Sequence, residues 1–352
     1  MRLSSDEIRR LSDLWRQNAV GPAGHFRLDP ETERYRLRAN DIGFHELDYD
    51  ELCTACVELT KQLLLPGFSS IIDPDHFWLW SWCAELLLGR NGSLSSSVDP
   101  EIGRLAQVTA RAALAGVNAP TPDAAERAIQ VHTLLNQNAA YLIGSSQTVL
   151  SYLCFPLLEA VARRACSAYV GLNGEVRQPF ARANGGLYKT GKPCSNVGDV
   201  LRLLRDHVAG STLRNNLAEI LTHVANMAGE SDGCSVIFDW RNSSLHGETT
   251  LDTIGGTVYT LSLLIALDGI ESSYIEARDE ALKWIGHRQW IGQLSGEYPR
   301  SPLTYYPPFL SDLRQQSIRR VANRRTNALS ALCARIRRIL LVMGSRLASR
   351  ER

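Results

Sequence analysis

Arg241 and His246 carry the chemistry most legible in this chain. They lie five residues apart in Phe238-Asp-Trp-Arg-Asn-Ser-Ser-Leu-His-Gly-Glu248, with Asn242 directly after the arginine and Gly247 directly after the histidine. Arginine is a permanent cation whose planar fork of donors matches a phosphate. Histidine titrates nearest neutrality and can give or take a proton at working pH. A phosphate clamp beside a proton shuttle is the minimum equipment for cutting RNA without a metal. If the segment is helical, the two side chains are roughly 500° apart around the axis and do not share one tight face. A kink or helix end at the motif would be needed to bring them to one pocket, and Gly247 is a natural C-terminal stop.

The elements around the pair follow from hydrophobic spacing, which is helical almost throughout. Ser4-Ser-Asp-Glu7 opens a capping-box-like start, with Ile8, Leu11 and Leu14 at helical spacing. Gly21 to Asn40 reads as a loop. Helices are expected at Tyr49–Leu65, Pro74–Leu88, Pro100–Val117 and Pro122–Leu142, several with proline in the first turn, where its missing N–H costs nothing. The run His76-Phe-Trp-Leu-Trp-Ser-Trp82 reads as a core or interface face rather than a base-stacking platform. Gly144 to Gln147 marks a boundary. A strongly apolar helix follows over Thr148–Gly171, with Pro156 inside it. Leu172–Asn196 reads as an irregular insertion, Val197–Val208 and Ser211–Ala228 as two helices, and Gly229–Cys234 as a turn. Val236-Ile-Phe238 is a short strand or part of a helix, and Thr253–Leu267 is a last apolar helix.

The order of these elements and the Arg-Asn-x-x-x-His-Gly string resemble the HEPN-domain ribonucleases over roughly a third of the chain, Ser145 to Leu267. The resemblance implies a compact bundle of about four helices with the motif where a helix meets a loop. It also implies two protomers pairing so that both motifs line one composite cleft. His246 would then act as general base on the ribose 2′-hydroxyl or as general acid on the leaving oxygen. Arg241 would hold the scissile phosphate. Asn242 either supports His246 and phosphate or ties down local backbone. Glu159, inside the apolar helix, either pairs with Arg241 across the bundle or is a solvated residue. One HEPN toxin group carries a tyrosine two residues after the histidine, which a partner enzyme modifies. Here that position is Glu248, so regulation by that route does not follow.

Bulk properties narrow the field. A chain of 352 residues with net charge +1 and 44% apolar content is long enough for two domains and a sizeable core. The charge is uneven: Leu313 to Arg352 holds eleven arginines and one acid, which leaves the other 312 residues at −9. There Ile318, Val321, Leu329, Leu332, Ile336, Ile339, Met343 and Leu347 recur at helical spacing, describing an amphipathic basic helix. Arg319, Arg320, Arg324 and Arg325 are the RNA-binding candidates on it, since phosphate neutralisation supplies most non-specific affinity; the other reading is the solvated face of a dimer helix. The N-terminus lacks an apolar signal region and no run approaches a membrane span, so a cytoplasmic location with reduced cysteines is expected and a membrane partner is not. Cys53-Thr-Ala-Cys56 lies within a helical pattern and reads as buried small hydrophobes. The other histidines show no ligand spacing, and no phosphate loop or dinucleotide fingerprint is present, so no metal or cofactor is expected.

The expected architecture is all-α: an N-terminal helical domain over residues 1–143, a HEPN-like four-helix bundle over 144–275, and a linker with the arginine-rich C-terminal helix over 276–352. The expected function is a metal-independent endoribonuclease working on RNA as a homodimer, in defence or as a toxin. Such a setting would bring an antitoxin or regulatory partner. The rival is a non-catalytic HEPN module for dimerisation or for binding RNA or a nucleotide.

Overall fold

A computed structural model describes residues 4–19, 30–65, 74–89, 92–95, 99–114, 146–246 and 254–295. The expected helix at 122–142, the basic tail and Arg319, Arg320, Arg324 and Arg325 lie outside the described residues. About three quarters of those described are helical, in a short turn at Pro30–Glu33 and in α1 (Ser5–Ala19), α2 (Tyr49–Leu63), α3 (Pro74–Leu88), α4 (Pro100–Leu114), α5 (Ser146–Ala165), α6 (Val197–Leu203), α7 (Ser211–Ala228), α8 (Gly233–His246), α9 (Gly255–Asp268) and α10 (Tyr274–Ser295), with a two-stranded sheet of β1 (Phe180–Ala181) and β2 (Leu187–Tyr188) between α5 and α6.

Local chemistry sets several of these boundaries. Asp48 and Glu51 form a reciprocal capping box that starts α2: the Glu51 amide donates to Asp48 Oδ1 at 2.9 Å and the Asp48 amide donates to Glu51 Oε2 at 2.8 Å. Asn196 caps α6, its Oδ1 accepting from the Asp199 amide at 3.1 Å. The stretch expected as one helix over Val197–Val208 instead passes into a wider π turn at Leu204. Val236, Ile237 and Phe238 are helical, within α8. The insertion over 172–196 is more regular than its composition suggests. Gly174, Gly185 and Gly191 turn the chain at φ of 83°, 79° and 75°, a region that favours glycine. Between two of these turns β1 pairs with β2 in antiparallel fashion, and Phe180 stacks on Tyr188 with ring centroids 4.7 Å apart.

Among the described residues one large hydrophobic core runs from Ile8 through the aromatic helix α3 to Ile285, with a small separate cluster at Trp15, Ala19 and Leu65. α9 is buried from Gly255 to Leu267 because it packs against α5, α2 and α3. Gly255 permits the close approach to α5, since a Cβ there would sit 3.0 Å from the Ser151 nitrogen. Trp78, Trp80 and Trp82 are buried, so the aromatic cluster is core. The expected boundary near residue 144 therefore does not separate two cores. Polar contacts cross it as well: Trp80 Nε1 donates to Thr260 Oγ1 at 2.8 Å, Lys61 Nζ lies 2.7 Å from Glu219, and Tyr274 donates to the Leu47 carbonyl at 2.9 Å. The region read as a linker from 276 begins as helix, α10, because Tyr274, Ala277, Ala281 and Ile285 recur at helical spacing and bury one face. Among the described residues no single helix is long and apolar enough to cross a membrane.

One of these crossing contacts titrates. His223 on α7 lies 2.9 Å from the Leu64 carbonyl, so its Nε2 is the N–H donor. Burial, with Arg16 and Lys61 nearby, holds its pKa below the ordinary histidine value. The folded state thus binds fewer protons than the unfolded chain. The contact's stability is fully present above the ordinary value of about 6.5 and is lost as pH falls through it towards the folded value. The unfolding midpoint is expected to drop between neutral and mildly acid pH, and His223→Gln is expected to flatten that part of the curve. An identical pH profile for the variant would remove His223 as the source.

Candidate functional site

α8 delivers the Arg/His pair, and its start is held firmly. Asp232 accepts from the backbone amide of Ser235 at 3.1 Å and is paired with Arg202 of α6, which also lies 2.8 Å from Asp199. These partners hold the Asp232 carboxyl below the usual range despite its burial. Gly233 lets α8 lie directly against α7, as a Cβ there would come within 2.1 Å of the Leu221 carbonyl oxygen. The helix then runs to His246, the last described residue before the segment that contains Gly247.

Across the bundle α5 presents Glu159. The Arg241 guanidinium lies 3.3 Å from Glu159 Oε1, with the side chains 24% and 16% exposed. A second cation, Arg163, reaches the same oxygen at 4.0 Å from one helical turn along α5. That oxygen is enclosed and takes no hydrogen bond, so both contacts are Coulombic rather than a bidentate fork. Arg163 is anchored independently: it donates to the Cys194 carbonyl at 3.1 Å and the Leu172 carbonyl at 3.3 Å, tying the hairpin segment to α5. Arg241 also donates to Asn242 Oδ1 at 3.1 Å. Asn242 is thereby engaged with the arginine.

His246 is placed differently. It is exposed, as is Leu245 beside it, whereas Ser244 is buried. Five helical positions put it roughly 140° around the axis from Arg241, so Arg241 turns inward to α5 while His246 faces solvent. The structure brings together Arg241, Asn242 and Glu159 and leaves His246 apart. Sequence reasoning missed Arg163 as the second cation on Glu159, although the i, i+4 spacing on α5 carried that signal. α5 exposes Val149 and Tyr152, and α8 exposes Leu245.

Metal and thiol chemistry have no support among the described residues. No group of three His, Cys, Asp or Glu side chains is arranged to hold a metal ion. The seven described cysteines are free and buried, and burial pushes the Cys166 and Cys234 thiols up to about 12, away from the reactive thiolate. Family models, curated proteins and solved structures were compared with the chain, and none matches it.

Proposed function

We propose that this chain is a metal-independent endoribonuclease of the HEPN type. The observation that carries the reading is the placement of Arg241 and His246 at the end of one helix, the arginine held by a carboxylate and the histidine open to solvent. In this reading Arg241 leaves Glu159 for the scissile phosphate and offsets the charge that builds there. A histidine takes the proton from the 2′-hydroxyl, the 2′-oxygen bonds to phosphorus, and the P–O5′ bond breaks with a proton passing to the leaving oxygen. The ends are a 2′,3′-cyclic phosphate and a 5′-hydroxyl. One chain offers one such histidine, so a homodimer with both motifs at a shared cleft supplies the base and the acid. Leu245, exposed within the motif, supplies apolar surface for that pairing. The basic tail with Arg319, Arg320, Arg324 and Arg325 would add phosphate contacts, and a toxin or defence setting would add an antitoxin or regulatory partner. Incubating the chain with total RNA in EDTA and mapping the ends tests this: fragments with 5′-hydroxyl ends are expected, and intact RNA rejects it.

A second reading, a non-catalytic HEPN module that dimerises or binds RNA or a nucleotide, draws on the Glu159–Arg241 pair itself, which fixes α5 against α8 without any chemistry. Intact RNA with parent and variants alike favours this second reading, whereas Glu159→Gln tests the role of the carboxylate within the first. As a resting counter-ion Glu159 is dispensable for cleavage, so the variant should cut RNA at least as fast as the parent, with a lower unfolding midpoint because Arg241 and Arg163 lose an enclosed counter-ion. Loss of cleavage as deep as that of Arg241→Ala would place Glu159 in the chemistry.

A further inference from the structure

A cavity of about 360 Å³ opens between the C-terminal ends of α5 and α9, away from the Arg/His motif. Arg164 of α5 and Asp268 of α9 line it, with Val161, Ile265 and Ile270 as its apolar wall and Ser93 at its edge. The edge is fixed from both helices: Arg164 donates to the Ser93 carbonyl at 2.6 Å, and the Ser93 hydroxyl donates to the Ala266 carbonyl at 2.7 Å.

The two charges on this wall do not pair with each other. Asp268 takes no hydrogen bond and no ion pair among the described residues, and Arg164 uses one N–H on Ser93. An unpaired, half-buried carboxylate is costly, and burial together with the neighbouring Glu271 carboxylate pushes the Asp268 pKa up. Its oxygens are not sealed from the cavity, so a donor or a cation entering there can reach them. The carbonyl end of α9 adds partial negative charge on the same side. A simple cation would satisfy Asp268 but face the Arg164 guanidinium. A simple anion would satisfy Arg164 but meet Asp268 in the same cavity. A molecule carrying both charges satisfies both walls.

We propose that this cavity binds a small free amino acid, its ammonium on Asp268, its carboxylate on Arg164, and an aliphatic side chain against Val161, Ile265 and Ile270. The volume lies at the lower end of small-molecule sites, which fits a ligand of that size. The site is independent of the ribonuclease reading.

The test titrates L-alanine, L-valine and L-leucine, at up to millimolar concentration, into the full chain and follows the unfolding midpoint and the heat of binding. Isobutylamine and isovalerate, which are L-valine lacking the carboxylate and the amine, are the controls. At least one amino acid is expected to raise the midpoint saturably, with each single-charge control binding at least about tenfold more weakly. Asp268→Asn is expected to abolish the shift while its own midpoint is unchanged or higher, since it removes the uncompensated carboxylate. The proposal is overturned if none of the three amino acids shifts the midpoint. It is equally overturned if Asp268→Asn keeps the shift, or if either control binds as tightly as its parent amino acid.

Discussion

Replacing His246 with alanine is expected to lower RNA cleavage by about 10²- to 10⁴-fold, the range a positioned general acid or base contributes, and to leave the fold unchanged. The second half of that expectation follows from exposure. His246 lies in solvent at the end of α8 with Leu245 49% exposed beside it, so truncation opens no cavity and strands no buried partner. Activity and stability are therefore separable at this position, which is not so at Arg241. Removing that guanidinium leaves the enclosed Glu159 oxygen with only the more distant Arg163. The measurement is end-mapped cleavage in EDTA for parent and variant, with unfolding midpoints alongside. A substrate carrying a 2′-deoxy sugar at the cut site should resist the parent, because the nucleophile is missing. Equal cleavage by parent and variant would remove His246 from the chemistry, and cutting of the deoxy substrate would remove the 2′-hydroxyl mechanism.

Trp80→Ala carries the largest expected effect on stability, about 3–5 kcal/mol, the usual cost of truncating a fully buried aromatic side chain. Trp80 is 0% exposed and touches His76, Phe77 and Tyr259 at ring-centroid distances of 5.9, 5.7 and 5.6 Å. It also packs against Gly256 of α9, where an added Cβ would meet the indole at 3.1 Å, and its Nε1 donates to Thr260. Because these partners lie on both sides of the expected boundary near residue 144, the loss should appear in one cooperative transition reported alike by circular dichroism and tryptophan fluorescence. Trp80→Phe should recover part of it. Two transitions, with α5 to α9 holding the parent midpoint, would show instead that the halves fold separately.

Helix positions were well marked along the chain. Apolar spacing and prolines at first turns place α2, α3, α4, α7 and α9 within a few residues, because periodicity records which face must be buried; α5 starts where expected but ends at Ala165, well before Gly171. The insertion over 172–196 was harder. A two-residue strand pair held by three positive-φ glycines has too little alternation to read, and the same composition suits an irregular loop. Domain division is harder still to read from spacing. Glycine and serine around residue 145 mark a break between helices, but whether the helices on either side share a core depends on which apolar faces meet. The opening of α10 is faint in the sequence because its periodic face is built from alanines and single large residues, a weak signal until a neighbouring surface is there to receive it.

What the sequence determined by itself was the helical class and the identity of the chemical groups, since both depend on residue type and on spacing within one segment. Tertiary structure alone decided the environment of those groups: that Arg241 meets Glu159 rather than solvent, that Arg163 shares that carboxylate, and that Arg164 and Asp268 face one cavity without pairing. Each of these depends on distances between segments remote in the chain, set by how the apolar faces of separate helices pack, and the spacing within any one helix does not contain them.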